Sequence, residues 1–147
     1  MNMNILDTII AQKQKEVAER KAVTSLAQLE KQPFFARPTL SLCHFLSDDT
    51  RTGIIAEFKR KSPSKGIIND KADVLAVTSA YATAASGLSV LTDTQFFGGA
   101  TADLETARIN QVPILRKDFM IDEYQVLSLI HISEPTRLLS ISYAVFC

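Results

Sequence analysis

IIAEFKRKSPSKG, residues 54–66, decides how this chain is read. A short apolar run turns within a few residues into a glutamate, several cations and a Ser-Pro-Ser-Lys-Gly turn. A buried parallel strand has this look where it delivers charge to the mouth of a site. Side chains alternate across a strand, so Glu57 and Lys59 share one face while Phe58 and Arg60 take the other. Putting an acid and an amine on the interior face of a sheet costs several kcal/mol per ion unless each is paired or kept wet. An edge strand with solvated charges on both faces is the plainer reading of an isolated Glu-x-Lys pair. The apolar run Gly53-Ile54-Ile55-Ala56 tips the reading toward a central strand.

Outward from that strand the rhythm is strand, helix, strand, helix, strand. The first strand is read over 53–59. Asp73 is placed to cap an Ala-rich helix over 74–85, which Gly87 then ends. LSVLT, 88–92, forms a second strand, and a loop carrying Phe96-Phe97-Gly98-Gly99 leads to a helix near 102–109. VPILRK, 112–117, is the third strand, with Pro113 acceptable at its start. Upstream, residues 5–31 read as helical, because Leu6, Ile9, Ile10, Val17, Leu26 and Leu29 fall near helical spacing, with a break at Thr24-Ser25. Pro33 and Pro38 bracket a loop, and Ser41 caps a short helix through Phe45-Leu46 before a Ser47-Asp48-Asp49 turn.

Strands alternating with helices of this length imply right-handed crossovers and a parallel sheet. Ligands in such folds sit at the carboxyl ends of strands. Those ends carry Glu57 and Lys59, then Thr92 and Asp93, then Lys117 and Asp118. Polar groups on three consecutive strand ends weigh more than any lone charge. Asp118 by itself reads as a cap for the segment that follows.

Composition narrows the partners. The chain has 147 residues, suited to one ordinary domain, and a formal net charge of zero with both signs interspersed. No basic stripe argues for nucleic acid, whereas a local cluster such as Lys59-Arg60-Lys61 suits an anionic small molecule. The amino terminus, MNMNILDTII, lacks a leader pattern, and no segment approaches the roughly 20 apolar residues of a membrane helix, so a cytoplasmic protein is expected. Cys43 and Cys147 have neither zinc nor disulfide-framework spacing, and no Gly-rich dinucleotide fingerprint occurs; neither metal nor cofactor is expected.

Three stretches, IIAEFKRKSPSKG at 54–66, LSVLTDTQFFGGA at 88–100 and PILRKDFMIDEYQV at 113–126, resemble the indole-3-glycerol phosphate synthase family in order and spacing. The likeness covers residues 1 to about 127. It implies a partial (β/α)₈ TIM barrel: a helical extension over 1–50, then the first three βα units over 51–127. Residues 128–147, SLIHISEPTRLLSISYAVFC, depart from the family pattern and resemble translated adapter read-through, so they read as a non-native tail. Pro135 there would cost a helix about 3 kcal/mol or more.

The resemblance also implies an activity. The family is a carboxy-lyase of tryptophan biosynthesis that converts 1-(2-carboxyphenylamino)-1-deoxyribulose 5-phosphate to indole-3-glycerol phosphate, losing carbon dioxide and water. By motif match Glu57, Lys59 and Lys117 are the catalytic residues, with Lys117 the general acid, and Ser62, Phe97 and Phe119 bind substrate. Phe96 is expected in the core, and Gly98-Gly99 as a turn. A complete barrel takes about 250 residues and eight strands, so a second catalytic Glu, an Asn and the main phosphate loops have no counterpart here, and an inactive truncation is expected. Two other readings stand beside this one. The first is a non-catalytic fragment that needs a partner chain. The second is a related sugar-phosphate barrel such as phosphoribosylanthranilate isomerase, against which the first-strand Glu-x-Lys and Ser-Pro-Ser-Lys-Gly argue. The full-length protein is expected to be a monomer or a fusion with a neighbouring pathway enzyme.

Overall fold

The computed structural model describes residues 4–31 and 39–128, which form two compact units. The Pro33 to Pro38 loop, Cys147 and the tail with Pro135 lie outside the described residues.

The first unit joins residues 4–31 to 119–128. Helix α1, Ile5–Val23, starts in a reciprocal cap: Asn4 Oδ1 accepts from the Asp7 amide at 2.9 Å and Asp7 Oδ2 accepts from the Asn4 amide. It stops at Thr24, and α2, Leu26–Glu30, begins from the Ser25 cap, so the expected break falls where Ser and Thr compete for backbone donors. Helix α7, Glu123–Leu127, the last described helix, packs on these two. Val17, Leu29 and Tyr124 make the shared core, flanked by Leu26 and Leu127. The Tyr124 hydroxyl lies 3.0 Å from the Arg20 carbonyl, which also accepts the Thr24 amide, and 2.9 Å from the carbonyl of Thr24, bringing a side-chain donor to the end of α1.

The second unit, residues 39–118, holds the sheet. Helix α3, Leu42–Leu46, is capped by Ser41. Strand β1 is Ile55–Phe58, β4 is Gly87–Leu91 and β5 is Ile114–Lys117; they pair in parallel in the order β1-β4-β5. Between β1 and β4 run the short strands β2, Lys61–Ser62, and β3, Gly66–Ile67, paired antiparallel around the Ser-Pro-Ser-Lys turn, and then α4, Val74–Ala82. Helices α5, Thr94–Phe97, and α6, Thr101–Ala107, join β4 to β5. Helix α4 lies against β1 and β4, α6 against β4 and β5, and the two helices touch each other, so both cover one face of the sheet.

Four expectations need correction. Among the described residues strand β1 is an edge of the three-stranded sheet, not its centre: β4 is buried along its whole length, while Ile54 is 57% exposed and Ile55 is also open. An apolar run shows that a strand has something to cover, and says nothing of which neighbour covers it. Gly87 does not end α4, which closes at Ala82 with Thr83 as its cap; it opens β4, where a Cβ would sit 2.6 Å from Leu42 Cδ1. The segment read as a loop before Gly98 contains α5, capped by the buried Asp93 through the amides of Phe96 and Phe97, with Gly98 its left-handed terminator at φ 65°. Phe96 is half-buried and not part of the core.

Candidate active site

Register decides which side chains can meet. In the parallel pairing Glu57 stands opposite Ser89 and Ser89 opposite Leu115; the next rung is Phe58, Val90 and Arg116; the one beyond pairs Leu91 with Lys117. Residues level with one another project to the same side, so Glu57, Lys59, Ser89, Leu91, Leu115 and Lys117 share a face. Phe58, Val90 and Arg116 take the other.

On the first face the three charged groups come together. Lys117 Nζ donates to Glu57 Oε2 at 2.5 Å, and Lys59 Nζ donates to Glu57 Oε1 at 2.8 Å. One carboxylate thus binds two amines, one per oxygen, from strands that are not neighbours in the sheet. Burial pushes the Glu57 carboxyl up, but hydrogen bonds from Lys117 and then Lys59, with their positive charge, outweigh it and hold the group below the ordinary carboxylate range. Lys117 remains 54% exposed, so its amine can reach a bound molecule without leaving the site.

The opposite face is locked. Arg60 forms a bidentate pair with Asp103 at 2.5 and 2.9 Å, donates to the Gly98 carbonyl and lies over the Phe58 ring. Asp103 also accepts from the Ala100 amide at the start of α6, so one carboxylate ties β1's exit to that helix. Asp118, expected only as a cap, instead pairs with Arg116 and accepts from Thr92; the cap of α7 is Asp122. The signal for both anchors was the arginine beside each lysine, since strand alternation sends neighbours to opposite faces. The partner of Arg60 could not be named from the sequence, because Asp103 lies 43 residues on; that of Arg116, Asp118, lies two residues on and shares its face by the same alternation.

The remaining predicted residues are distributed more widely. Ser62 is half-buried on β2, where its Oγ accepts from the Lys65 amide at 3.2 Å and lies 3.4 Å from Ser64 Oγ. Phe97 is the half-buried last residue of α5. Phe119 belongs to the first unit, where its carbonyl accepts from Gln125 Nε2. Among the described residues no group of three or more His, Cys, Asp or Glu side chains could hold a metal ion, and no helix is long and apolar enough to cross a membrane.

Comparison with known proteins agrees with the motifs. A family model described as indole-3-glycerol phosphate synthase matches residues 6–143, reaching beyond the last matching motif. The chain is 46% identical over 125 residues to the indole-3-glycerol phosphate synthase of Bacteroides thetaiotaomicron, covering 84% of this chain and 48% of that protein. It is 45% identical over 129 residues to indole-3-glycerol phosphate synthase 2 of Ralstonia nicotianae, and 41% over 127 residues to the synthase of Syntrophobacter fumaroxidans, each match covering 84% of this chain and 48% of the relative. The chain therefore spans about half the length of the curated relatives it matches.

Proposed function

The chain belongs to the indole-3-glycerol phosphate synthase family, and from that premise we propose that it forms the amino-terminal half of the barrel and the first part of the site that closes the indole ring. The substrate is 1-(2-carboxyphenylamino)-1-deoxyribulose 5-phosphate, and the product forms with loss of carbon dioxide and water. The observation that carries this reading is the Glu57 carboxylate bridging Lys59 and Lys117.

Ring closure joins the carboxyl-bearing ring carbon to the carbonyl carbon, turning the carbonyl into a hydroxyl with an acid at its oxygen. That ring carbon then loses carbon dioxide, the C–C electron pair returning to the ring, and dehydration needs an acid to release the hydroxyl and a base to take a proton from the new ring. Lys117, ammonium-bearing and half-exposed, is the acid at the carbonyl oxygen. Lys59 holds an anionic group of the substrate, carboxylate or phosphate, and assists proton transfer. Glu57 holds both amines in place, one on each carboxylate oxygen, and hydrogen-bonds substrate. Ser62 adds a hydroxyl from the first loop, and Phe97 supplies an apolar surface for the aromatic ring; the motif match gives Phe119 the same kind of role. No cofactor takes part in this scheme.

The rest of the machinery belongs to the half of the family's length that the match does not cover, so we read the chain at its present length as inactive. The test extends it in frame to the length of its relatives and measures indole-3-glycerol phosphate formation. Turnover by the extended chain supports the reading. Turnover of phosphoribosylanthranilate in its place, or of neither substrate, sinks it.

A further inference from the structure

We propose that Arg116, Thr92 and Asp118 are positioning residues, a buried cluster that holds the carboxyl end of β5 in the backbone geometry that aims Lys117 at Glu57. Arg116 and Asp118 flank Lys117 in sequence and turn to the opposite face, where their side chains are only 6% and 2% exposed. Arg116 Nε donates to Thr92 Oγ1 at 2.9 Å, Thr92 Oγ1 donates to Asp118 Oδ2 at 2.9 Å, and Arg116 Nη2 closes the triangle on the same oxygen at 2.8 Å. The Thr92 amide donates to the Lys117 carbonyl at 3.1 Å. Thr92 thus grips Lys117 three ways, through its main chain and through the side chain on either side of it.

The physical need is plain from Lys117 itself. Its stem is long and its side chain half in solvent, so little packing selects a rotamer, and the direction of the amine must come from the backbone that carries it. A buried ion pair is a poor way to gain stability, because desolvation offsets most of the attraction and apolar residues of similar volume do as well or better. What the triangle supplies is direction. It requires a residue that donates and accepts through one atom, which threonine does and the isosteric valine does not.

The activity part of this inference rests on Lys117 being the proton donor; the geometric part does not. In the extended chain, Thr92→Val should lower kcat about tenfold with KM changed less than about twofold, and Thr92→Ser, which keeps the hydroxyl, should restore most of the loss. Trace acetylation with acetic anhydride, read by mass spectrometry as Lys117 labelling relative to the exposed Lys65, should rise on the order of threefold in Thr92→Val as the amine is released from Glu57. Unchanged kcat and unchanged labelling overturn the proposal. A fall in kcat that serine does not restore, with Lys117 labelling unchanged, assigns the cluster a merely structural role and also overturns it. If the parent has no turnover, the functional reading has failed and the labelling ratio alone decides this inference. If Thr92→Val does not fold, the same ratio in Asp118→Asn decides it.

Discussion

At the residue scale the site reduces to one carboxylate shared by two amines. Lys117→Ala in the extended chain should lower turnover by roughly 10² to 10⁴, the share of a positioned proton donor, and steady-state kinetics would measure it. Unchanged turnover removes Lys117 from that role. Glu57 makes a second prediction, on stability. Its folded pKa lies below the ordinary carboxylate value, so its ion pairs stabilise the protein above that value and lose their contribution as pH falls through the folded pKa. Thermal melts of the parent and Glu57→Gln against pH should therefore be separated near neutrality and converge under acid. Parallel curves would mean that the pairs contribute no net stability. The alternation of Glu57 and Lys59 against Phe58 and Arg60 was legible from spacing alone, since a strand offers only two faces. The pairing of Arg60 with Asp103 and of Arg116 with Thr92 was not, since those partners reach the arginines only through the packing of α6 and the register of β4.

At the element scale the parallel order β1-β4-β5 follows from the alternation of strand and helix, and the caps Ser25, Ser41 and Asp73 stand where short polar side chains precede apolar runs. Glycines were harder to read, because a glycine in sequence looks the same whether it turns the chain or makes room for it. Gly98 does the first, at φ 65°. Gly99 does the second: a Cβ there would lie 2.1 Å from the Leu91 carbonyl oxygen and 2.6 Å from its carbon, both rigid backbone atoms of β4. Gly99→Ala should thus destabilise the extended chain by about 1–3 kcal/mol, whereas Gly87→Ala, which meets mainly the movable Leu42 side chain, should cost less. Denaturant melts would rank the two, and equal costs would show that the β4–α6 connection shifts freely. Because Gly99 follows closely after Phe97, its substitution should also raise KM if that ring lines the substrate slot.

At the scale of the whole molecule, β1 is the informative element. Among the described residues it pairs on one side only, with Ile54 and Ile55 exposed at its start, and such an edge invites pairing with whatever strand is at hand. We expect the chain at its present length to bind a hydrophobic dye and to unfold without a sharp transition, and the extended chain to do neither; a sharp, dye-free melt of the short chain would show that three strands and their helices suffice. The sequence by itself determined the three parallel strands and the longer helices, the faces of Glu57, Lys59 and Arg60, and the family, because periodicity, caps and motifs are local and survive in a linear string. Only the tertiary structure decided that β1 is an edge among the described residues, that Gly99 makes room for β4, and that Thr92 joins Asp118 to Arg116. Each of these depends on which neighbour a residue meets across space, and no spacing along the chain encodes that.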